Sequence, residues 1–362
     1  MLKTLDRYII RKFLSTFFFT VLIFTLITVI IDFSEKVEDF IESDISRSEI
    51  WLQYYPTFVF FMYGMLFPLF TLIAVVFFTS RLANNSEILS ILNAGVSFRR
   101  LLRPYLIAAV GIAAFHALAS HYLVPAGNKI RLRIEQTYID TNRDQGKTRN
   151  IHMFVSPDTK VYVNFWRRRD STIRDFRLER FDSNQLVYLL KATSAEWQGP
   201  PDQWRLRNYE IRTFDGMHES LVLGEGKQLD TTINLTPNDF VDYKEQQSMM
   251  TTPELKAYIN RQLERGVGNT AKYEAELYRR TAEPVTVLIL TLIGVAVAGR
   301  KVRGGLGLHL ALGIFIGAIF LILSRFSAVF AAGQALPILL SVWLPNIIFG
   351  GVAVYFIRRA QK

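Results

Sequence analysis

Long apolar runs without charge occupy the first third of the chain. Residues 13–31 form a run of 19 without a charge, and residues 54–80 form a run of 27 that contains Pro56 and Pro68. Residues 104–127 contain no acid and no base apart from His116 and His121. A helix needs about 20 mostly apolar residues to cross a bilayer. We therefore predict three membrane-spanning helices here.

Three further apolar runs close the chain. Residues 284–299 form a short run that residues 277–283 extend, and residues 305–324 form an uninterrupted run. Residues 336–357 contain Pro337 and Pro345. Proline is tolerated in membrane helices when neighbouring groups satisfy the freed carbonyls. The pattern thus predicts six spans, three on each side of a middle region.

The middle region has a different pattern. Short alternating segments rich in Val, Ile, Thr, Tyr and Phe lie at residues 160–165, 173–181, 186–197, 204–214 and 227–235. Turn residues such as Asp215-Gly216 separate them, and this spacing predicts an antiparallel sandwich, roll or barrel. We divide the chain into residues 1–127, a β domain at 128–252, and a connecting helix with the last spans at 253–362.

Alternation also predicts which residues of the β domain face inward. The predicted inward residues are Phe154, Val161, Val163, Phe165, Trp197, Trp204, Leu206 and Ile211. They form either a filled core or a slightly open groove that holds acyl chains, and the pattern does not distinguish these two possibilities.

Composition agrees with a membrane protein and excludes several site types. Half of the residues are apolar and 20% are charged, against about 25% charged in soluble domains. The chain has no cysteine, which excludes disulfides, thiol catalysis and cysteine-bound metal sites.

The net charge of +10 is unevenly distributed along the chain. The termini and the even-numbered turns carry two acids, Asp6 and Glu87, whereas the loop at residues 32–55 carries seven acids and two bases. Those termini and turns carry 14 bases, namely Lys3, Arg7, Arg11, Lys12, Arg81, Arg99, Arg100, Arg103, Arg300, Lys301, Arg303, Arg358, Arg359 and Lys362. The positive-inside rule predicts cytoplasmic termini and an extracytoplasmic β domain. Because the basicity follows topology, we predict no nucleic-acid binding.

Residues 84–96 predict a short amphipathic helix between spans two and three. Asn84 or Asn85 can cap it, Glu87 in the first turn suits the helix dipole, and Gly95 can end it. Three apolar residues share one face by their spacing, namely Ile88, Ile91 and Leu92. The pattern fits an interfacial connector or a coupling helix that docks into a cytoplasmic motor protein, and both interpretations stay open.

Several motifs resemble one protein family. The stretch Arg81-Leu82-Ala83-Asn84-Asn85-Ser86-Glu87-Ile88, with Ala94-Gly95-Val96-Ser97 and Arg100-Leu101-Leu102-Arg103-Pro104, resembles the lipopolysaccharide-export permeases LptF and LptG. Trp343-Leu344-Pro345-Asn346 and Tyr278-Arg279-Arg280 are similar to that family as well. The resemblance, including the topology, covers essentially the whole chain.

The resemblance implies a function. In that family the outer domain is a β-jellyroll, and two six-helix subunits pair and recruit a cytoplasmic ATPase dimer. The complex extracts lipopolysaccharide from the bacterial inner membrane and passes it to periplasmic β-jellyroll bridge proteins. The implied ATPase-coupling residues are Ser86, Glu87, Ile88, Ile91, Leu92, Ala94, Gly95 and Arg99.

One residue departs from the family pattern. The family's better-known member has a base just outside span one, where this chain has Asp32, and Lys36 is the nearest base. The choice between the two paralogous subunits therefore stays open.

No catalytic motif is present. The sequence lacks G-x-x-x-x-G-K-[ST], H-E-x-x-H and G-x-S-x-G patterns, and the glycine-rich residues 303–307 lack the phosphate-loop lysine. We expect a transporter subunit and no enzyme. We expect no cofactor in this chain, with ATP and magnesium bound by the partner ATPase.

Two kinds of residue are candidates for lipid binding. Apolar candidates are Phe17 and Phe24 in span one and the pair Gly313 and Gly317, which permits close helix approach. The alternative is lipid-facing bulk for the aromatic residues and ordinary packing for the glycines. Cationic candidates for phosphate groups are Lys36, Arg279, Arg280 and Arg325. An internal Arg279–Glu283 ion pair is the alternative for that arginine.

We interpret the chain as the permease subunit of an ATP-driven lipopolysaccharide exporter. A subunit that transmits motion without lipid in its own spans, a scaffold whose β domain binds an envelope partner, and an enzyme acting on envelope lipid are the alternatives.

Overall fold

The computed structural model describes residues 3–139, 148–240, 245–266, 270–302, 304–333 and 335–360. Two of the predicted cytoplasmic bases, Arg303 and Lys362, lie outside the described residues. The chain forms two compact units. One contains Met1–Thr141, Gln247–Leu255 and Ala271–Lys362, and the other contains Asn142–Gln246 and Lys256–Thr270.

Six helices of the described residues are long and apolar enough to cross a membrane, as predicted. They are α1 (Thr4–Glu42), α2 (Arg47–Asn84), α4 (Phe98–Ile139), α6 (Ala271–Ala298), α7 (Gly305–Ala332) and α8 (Ile338–Ala360). Two shorter helices are α3 (Glu87–Asn93) and α5 (Thr252–Glu264). At a rise of about 1.5 Å per residue, the 39 residues of α1 exceed the thickness of a bilayer core of about 30 Å.

Helix α4 continues beyond the boundary predicted at residue 127. Residues 128–139 are helical and belong to the helical unit, whereas residues 256–270 belong to the other unit. The apolar run in the sequence ends at residue 127 because residues 128–139 are rich in polar side chains, and the helix continues through them. Its polar residues are nevertheless packed, since Arg131 is 7% exposed and Asn128 is fully buried.

Small residues bring α7 against α2. A Cβ atom added to Gly313 would lie 3.1 Å from a methyl carbon of Val76, and one added to Gly317 would overlap Leu69. Glycine permits this approach because it has no side chain to keep the two backbones apart.

A proline and two polar side chains connect the last three spans. Pro345 has no N–H to donate to the carbonyl of Ser341, and the Ser327 hydroxyl of α7 donates to that oxygen instead. Asn346 donates to the carbonyl of Ala282 on α6 at 2.8 Å and accepts from the hydroxyl of Thr286 at 2.7 Å. The proline and the asparagine of the Trp-Leu-Pro-Asn motif therefore take part in helix–helix contacts.

The second unit contains a six-stranded antiparallel sheet in which neighbouring strands follow chain order. The strands are β1 (Arg149–Ser156), β2 (Thr159–Arg167), β3 (Thr172–Asp182), β4 (Gln185–Gly199), β5 (Gln203–Asp215) and β6 (His218–Thr232). This sheet fits the β-jellyroll-like domain that the family resemblance implied. The alternation pattern missed β1 and placed the start of β6 nine residues late.

One face of the sheet carries a packed core. Val161, Val163, Trp204 and Leu206 are fully buried, as predicted. The Trp166 ring stacks on Phe240 with ring centroids 4.2 Å apart. Aromatic side chains therefore occupy this interior, in agreement with the filled-core alternative.

Two residues predicted to face inward do not. Phe154 is 42% exposed, and Phe165 is half-buried while the next residue, Trp166, is buried. The alternation shifts at this point because Asp175 on the neighbouring strand has a left-handed φ of 52° and accepts a hydrogen bond from Asn164 at 2.8 Å. The register of β2 with β3 is unchanged across this point, so both strands change phase together, with Val163 opposite Phe176 and Trp166 opposite Ile173.

A buried arginine connects the residues after α5 to the β unit. Arg265 is 2% exposed, and its guanidinium lies 2.7 Å from an Asp239 oxygen and donates to the Asn234 carbonyl at 2.8 Å. The bidentate pair satisfies a carboxylate that is itself 11% exposed.

Arg265→Leu should destabilise the β unit by about 3 kcal/mol, because Asp239 would lose its cation in a buried place. Arg205→Leu removes an ion pair with Asp230 that is largely exposed, so it serves as a control and should change stability little. Thermal unfolding of the full chain in detergent, followed by protease sensitivity of the β unit, measures both. Equal effects of the two substitutions would contradict the role of Arg265.

Candidate functional site

Helix α3 lies where α2 ends and α4 begins, at the end of the helical unit that carries the basic residues, which we call the basic end. Ile88 is 2% exposed, and Ile91 and Leu92 pack on the core of the unit. Leu89, by contrast, is 58% exposed. The predicted apolar face therefore packs inside the chain, and the apolar residue left for a partner is Leu89, which spacing alone had not indicated.

The ends of α3 are fixed by backbone conformation. Ser86 precedes the helix with a left-handed φ of 61°, and Gly95 follows it with a φ of 82°. The Gly95 N–H donates to the Leu92 carbonyl at 3.0 Å, which ends the helix as predicted. Ala94, Gly95 and the nearby Arg99 are exposed, so these predicted coupling residues are accessible.

Glu87 has two side-chain partners. The hydroxyl of Tyr8 on α1 donates to Glu87 Oε2 at 3.1 Å, and the amide of Asn85 donates to Oε1 at 3.3 Å. The carboxylate is thus oriented by the first turns of α1, a contact that the sequence did not indicate.

Lys36 lies among acidic side chains at the opposite end of α1. Its Nζ is 2.7 Å from Asp32 and 3.0 Å from Glu135, and it also donates to the hydroxyl of Tyr54. Tyr54 in turn donates to Asp32 at 3.1 Å. The base nearest to span one is therefore engaged by two carboxylates of its own chain.

Arg131 completes the charge balance of this cluster. Its guanidinium bonds Glu135 at 2.9 Å, donates from Nε to the side-chain oxygen Oδ1 of Asn128 at 2.9 Å, and lies 3.9 Å from the ring centre of Phe61. Two cations thus face two carboxylates, which makes the cluster of Asp32, Lys36, Arg131 and Glu135 close to neutral.

Arg279 is paired within its own helix. Its nitrogens lie 2.8 Å from Glu276 and 2.7 Å from Glu283, so the internal ion pair considered above is formed. The second oxygen of Glu283 lies 3.4 Å from Nε2 of the buried His116. Nε2 of His116 is nevertheless buried without a hydrogen-bond partner among the described residues.

Arg280 is 2% exposed and, like Arg279, is bonded to groups of its own chain. It bonds Glu276 at 3.0 Å and donates to the Gln247 carbonyl at 3.1 Å and the Thr252 hydroxyl at 3.2 Å. A lipid phosphate would have to displace these contacts and enter a closed site.

Arg325 is the remaining predicted cation. It is exposed on α7, and among the described residues no carboxylate lies within ion-pair distance of it. Its Nη2 lies 3.0 Å from the sulfur of Met65. Exposed apolar side chains surround it in the helix, since Ile322 is 57%, Phe326 59% and Val329 68% exposed. This combination is suited to the anionic headgroup of a lipid.

The apolar lipid-binding candidates lie inside the helical unit. Phe17 is 3% exposed and packs edge-on against Phe67, and Phe24 stacks on Phe70, each with ring centroids 5.2 Å apart. Gly313 and Gly317 contact α2 of the same chain, as described above. Within the chain these four residues make packing contacts, Phe24 from a half-buried position, and their role in binding lipid stays a prediction.

The aromatic residues of α1 that face outward are not the predicted Phe17 and Phe24. Phe18 is 64% and Phe19 60% exposed. Helical phase could have found this, because the inward positions Ile9, Phe13, Phe17 and Val21 recur every four residues.

Comparison with known proteins agrees with this architecture. A family model described as "Lipopolysaccharide export system permease LptF/LptG" matches residues 7–359. The chain belongs to this family. It is also 22% identical over 358 residues to the lipopolysaccharide export system permease protein LptG of Haemophilus influenzae, covering 96% of each chain.

Membership in the LptF/LptG family establishes the general role. The chain is a permease subunit of the lipopolysaccharide export system, a multi-pass membrane protein rather than a catalytic enzyme. The family also implies a multi-subunit lipopolysaccharide transport complex.

Lys36→Gln should destabilise the helical unit by about 1–2 kcal/mol, because Asp32 and Glu135 would then share one cation in a partly buried cluster. Lys12→Gln removes an exposed charge from the same helix and should have little effect. Thermal unfolding midpoints in detergent compare the two variants. A midpoint for Lys36→Gln equal to that of Lys12→Gln would show that the cluster contributes nothing to stability.

Proposed function

We propose that this chain is one of two six-helix subunits of an ATP-driven exporter that extracts lipopolysaccharide from the inner membrane. In this proposal the basic end faces the cytoplasm and the β unit lies in the periplasm, as the distribution of the bases favours. A separate cytoplasmic ATPase dimer binds ATP and magnesium and supplies the energy.

The exposed face of α3 is the observation that carries the proposal. Leu89 projects from a seven-residue helix whose other apolar side chains pack inside, and it lies beside the oriented carboxylate of Glu87. A large apolar side chain next to a fixed charge, at the basic end, suits insertion into a groove of a cytoplasmic protein.

The exposed apolar faces of α1 and α7 support pairing with a second six-helix subunit around a lipid cavity. On α1 the exposed residues include Phe18, Phe19, Leu22, Leu26 and Ile30, and on α7 they include Ile314, Phe315, Ile322, Phe326 and Val329. Such faces contact either lipid or another apolar helix.

An edge strand of the β unit supports contact with a periplasmic bridge protein. Strand β6 is paired only with β5 in the described sheet, and its residues Leu221, Val222 and Leu223 are 50–59% exposed. An unpaired strand edge can extend into the sheet of another β protein.

Leu89→Arg should reduce the ATPase recovered with the tagged chain by about tenfold, because a charge would replace the apolar anchor. The measurement is affinity purification from native membrane in mild detergent, with mass spectrometry of copurifying proteins and lipids. Leu263→Arg changes a leucine of α5 that is 53% exposed, and it is the matched control.

Recovery of the ATPase and a second six-helix subunit with the native chain and the control, but not with Leu89→Arg, would support the proposal. Native recovery with Leu89→Arg would contradict the docking role of α3. A chain purified without ATPase, second subunit or glycolipid would overturn the exporter proposal.

A second candidate is a subunit that transmits motion without binding the lipid headgroup in its own spans. The observation that favours it is the internal neutralisation of Lys36, Arg279 and Arg280 by carboxylates of the same chain. Among the residues that the structure describes, Arg325 is the one of the four predicted cations without a carboxylate partner.

Arg325→Gln separates the two candidates. If this chain binds the headgroup, the substitution should lower copurifying glycolipid about tenfold, because a charge-assisted hydrogen bond is lost. Arg261→Gln, which removes an exposed arginine from α5, is the control. Unchanged glycolipid in an intact complex would favour the motion-transmitting subunit.

A further inference from the structure

The first turns of α1 hold an ion pair that joins distant parts of the chain. The Arg100 guanidinium binds both Asp6 oxygens, with Nη1–Oδ1 at 2.8 Å and Nη2–Oδ2 at 2.7 Å. Asp6 is 3% exposed and also accepts the Lys3 N–H at 3.0 Å. A bidentate pair fixes the direction as well as the distance between two groups, unlike an apolar contact, which can slide.

A second contact between α1 and a distant part of the chain lies two residues further along α1. Tyr8, also on α1, donates to Glu87 at the start of α3. Arg100 lies in the first turn of α4, so α1 is bonded both to the first residue of α3 and to the first turn of α4.

The segment between α3 and α4 is short and internally bonded. Val96 donates to the Ile91 carbonyl at 3.4 Å, and the Ser97 hydroxyl accepts the N–H of Arg100 at 3.3 Å, which caps α4. We therefore expect a displacement of α3 to move Arg100 as well, because hydrogen bonds constrain the backbone of the residues between them.

Helix α1 is held at this end and largely exposed beyond it. Ile9 and Phe13 are fully buried, and the Phe13 ring lies 5.8 Å from Tyr105 of α4. In its most apolar 18-residue window, however, α1 is the least buried of the six spans, at 17%. Its internal contacts there are confined to one face, which includes Phe17 and Val21, so a shift of α1 disturbs fewer core contacts than a shift of another span would.

We propose that the Asp6–Arg100 pair and the Tyr8–Glu87 hydrogen bond transmit movement of α3 to span one. The four side chains are positioning residues that make α1 the responding helix when a partner protein moves α3. This inference rests on the proposed function, in which α3 docks to an ATPase.

The test removes the two contacts by changing Arg100 and Tyr8 and leaves Asp6 unchanged, because Asp6 also accepts the Lys3 N–H at the start of α1. Arg100→Gln with Tyr8→Phe removes both bonds to α1, while Asp6 still accepts the Lys3 N–H. Arg100→Lys keeps the charge and is the conservative variant. Arg11→Gln, which removes an exposed charge from α1, is the control.

The measurement uses spin labels in the complex purified with its ATPase. Because the chain contains no cysteine, Leu26→Cys on α1 and Ile347→Cys on α8 give one labelled pair, at side chains each 56% exposed. Pulsed electron spin resonance gives the distance between the labels with and without a non-hydrolysable ATP analogue, and glycolipid released per ATP hydrolysed is measured in parallel.

We expect the nucleotide to shift the distance in the native chain and in Arg11→Gln, with most of the shift retained in Arg100→Lys. In Arg100→Gln with Tyr8→Phe we expect ATPase binding and hydrolysis to persist while the shift and the glycolipid released per ATP are lost. A native shift in that double variant would overturn the transmission role alone. Absence of any copurifying ATPase would overturn both this inference and the proposed function.

Discussion

Hydrocarbon offers no hydrogen bonds and screens no charge, and the helical unit is organised around that constraint. The carbonyl that Pro345 frees receives a hydroxyl from Ser327 on the neighbouring helix, and Asn346 bonds α6 through both ends of its amide. These polar groups thereby form contacts between helices. On α6 the carboxylate of Glu283 binds Arg279 of the same helix and lies 3.4 Å from the buried His116 of α4.

Charge neutralisation decides which cations remain for a ligand. Lys36, Arg279 and Arg280 each lie within 3.0 Å of a carboxylate of the same chain, so an incoming phosphate would compete with contacts already made. Arg325 contacts the thioether of Met65, and no carboxylate of the described residues neutralises its charge at the surface of α7. The sequence presents four equivalent bases, while the structure leaves one of them available.

Helix α1 combines fixed ends with an exposed middle. Its first turns are bound by Arg100 and packed through Phe13, and its far end is bound through Asp32 and Lys36 to Glu135. Between these points half of the side chains are exposed. A helix so arranged can respond to a partner at the basic end and present a changing apolar surface to lipid or to a second subunit.

The sequence by itself determined the six spans and the β-rich middle, because run length and alternation are properties of consecutive residues. It could not determine partners distant in the chain. Glu135 reaches Lys36 across 99 positions, and Arg100 reaches Asp6 across 94. Nor could it decide which side of α3 is covered, since Ile88 and Leu89 are equally apolar neighbours and only the packing of α3 on the core buries one and exposes the other. Availability to a ligand or partner is set by what the rest of the chain already occupies, and that is a property of the tertiary structure alone.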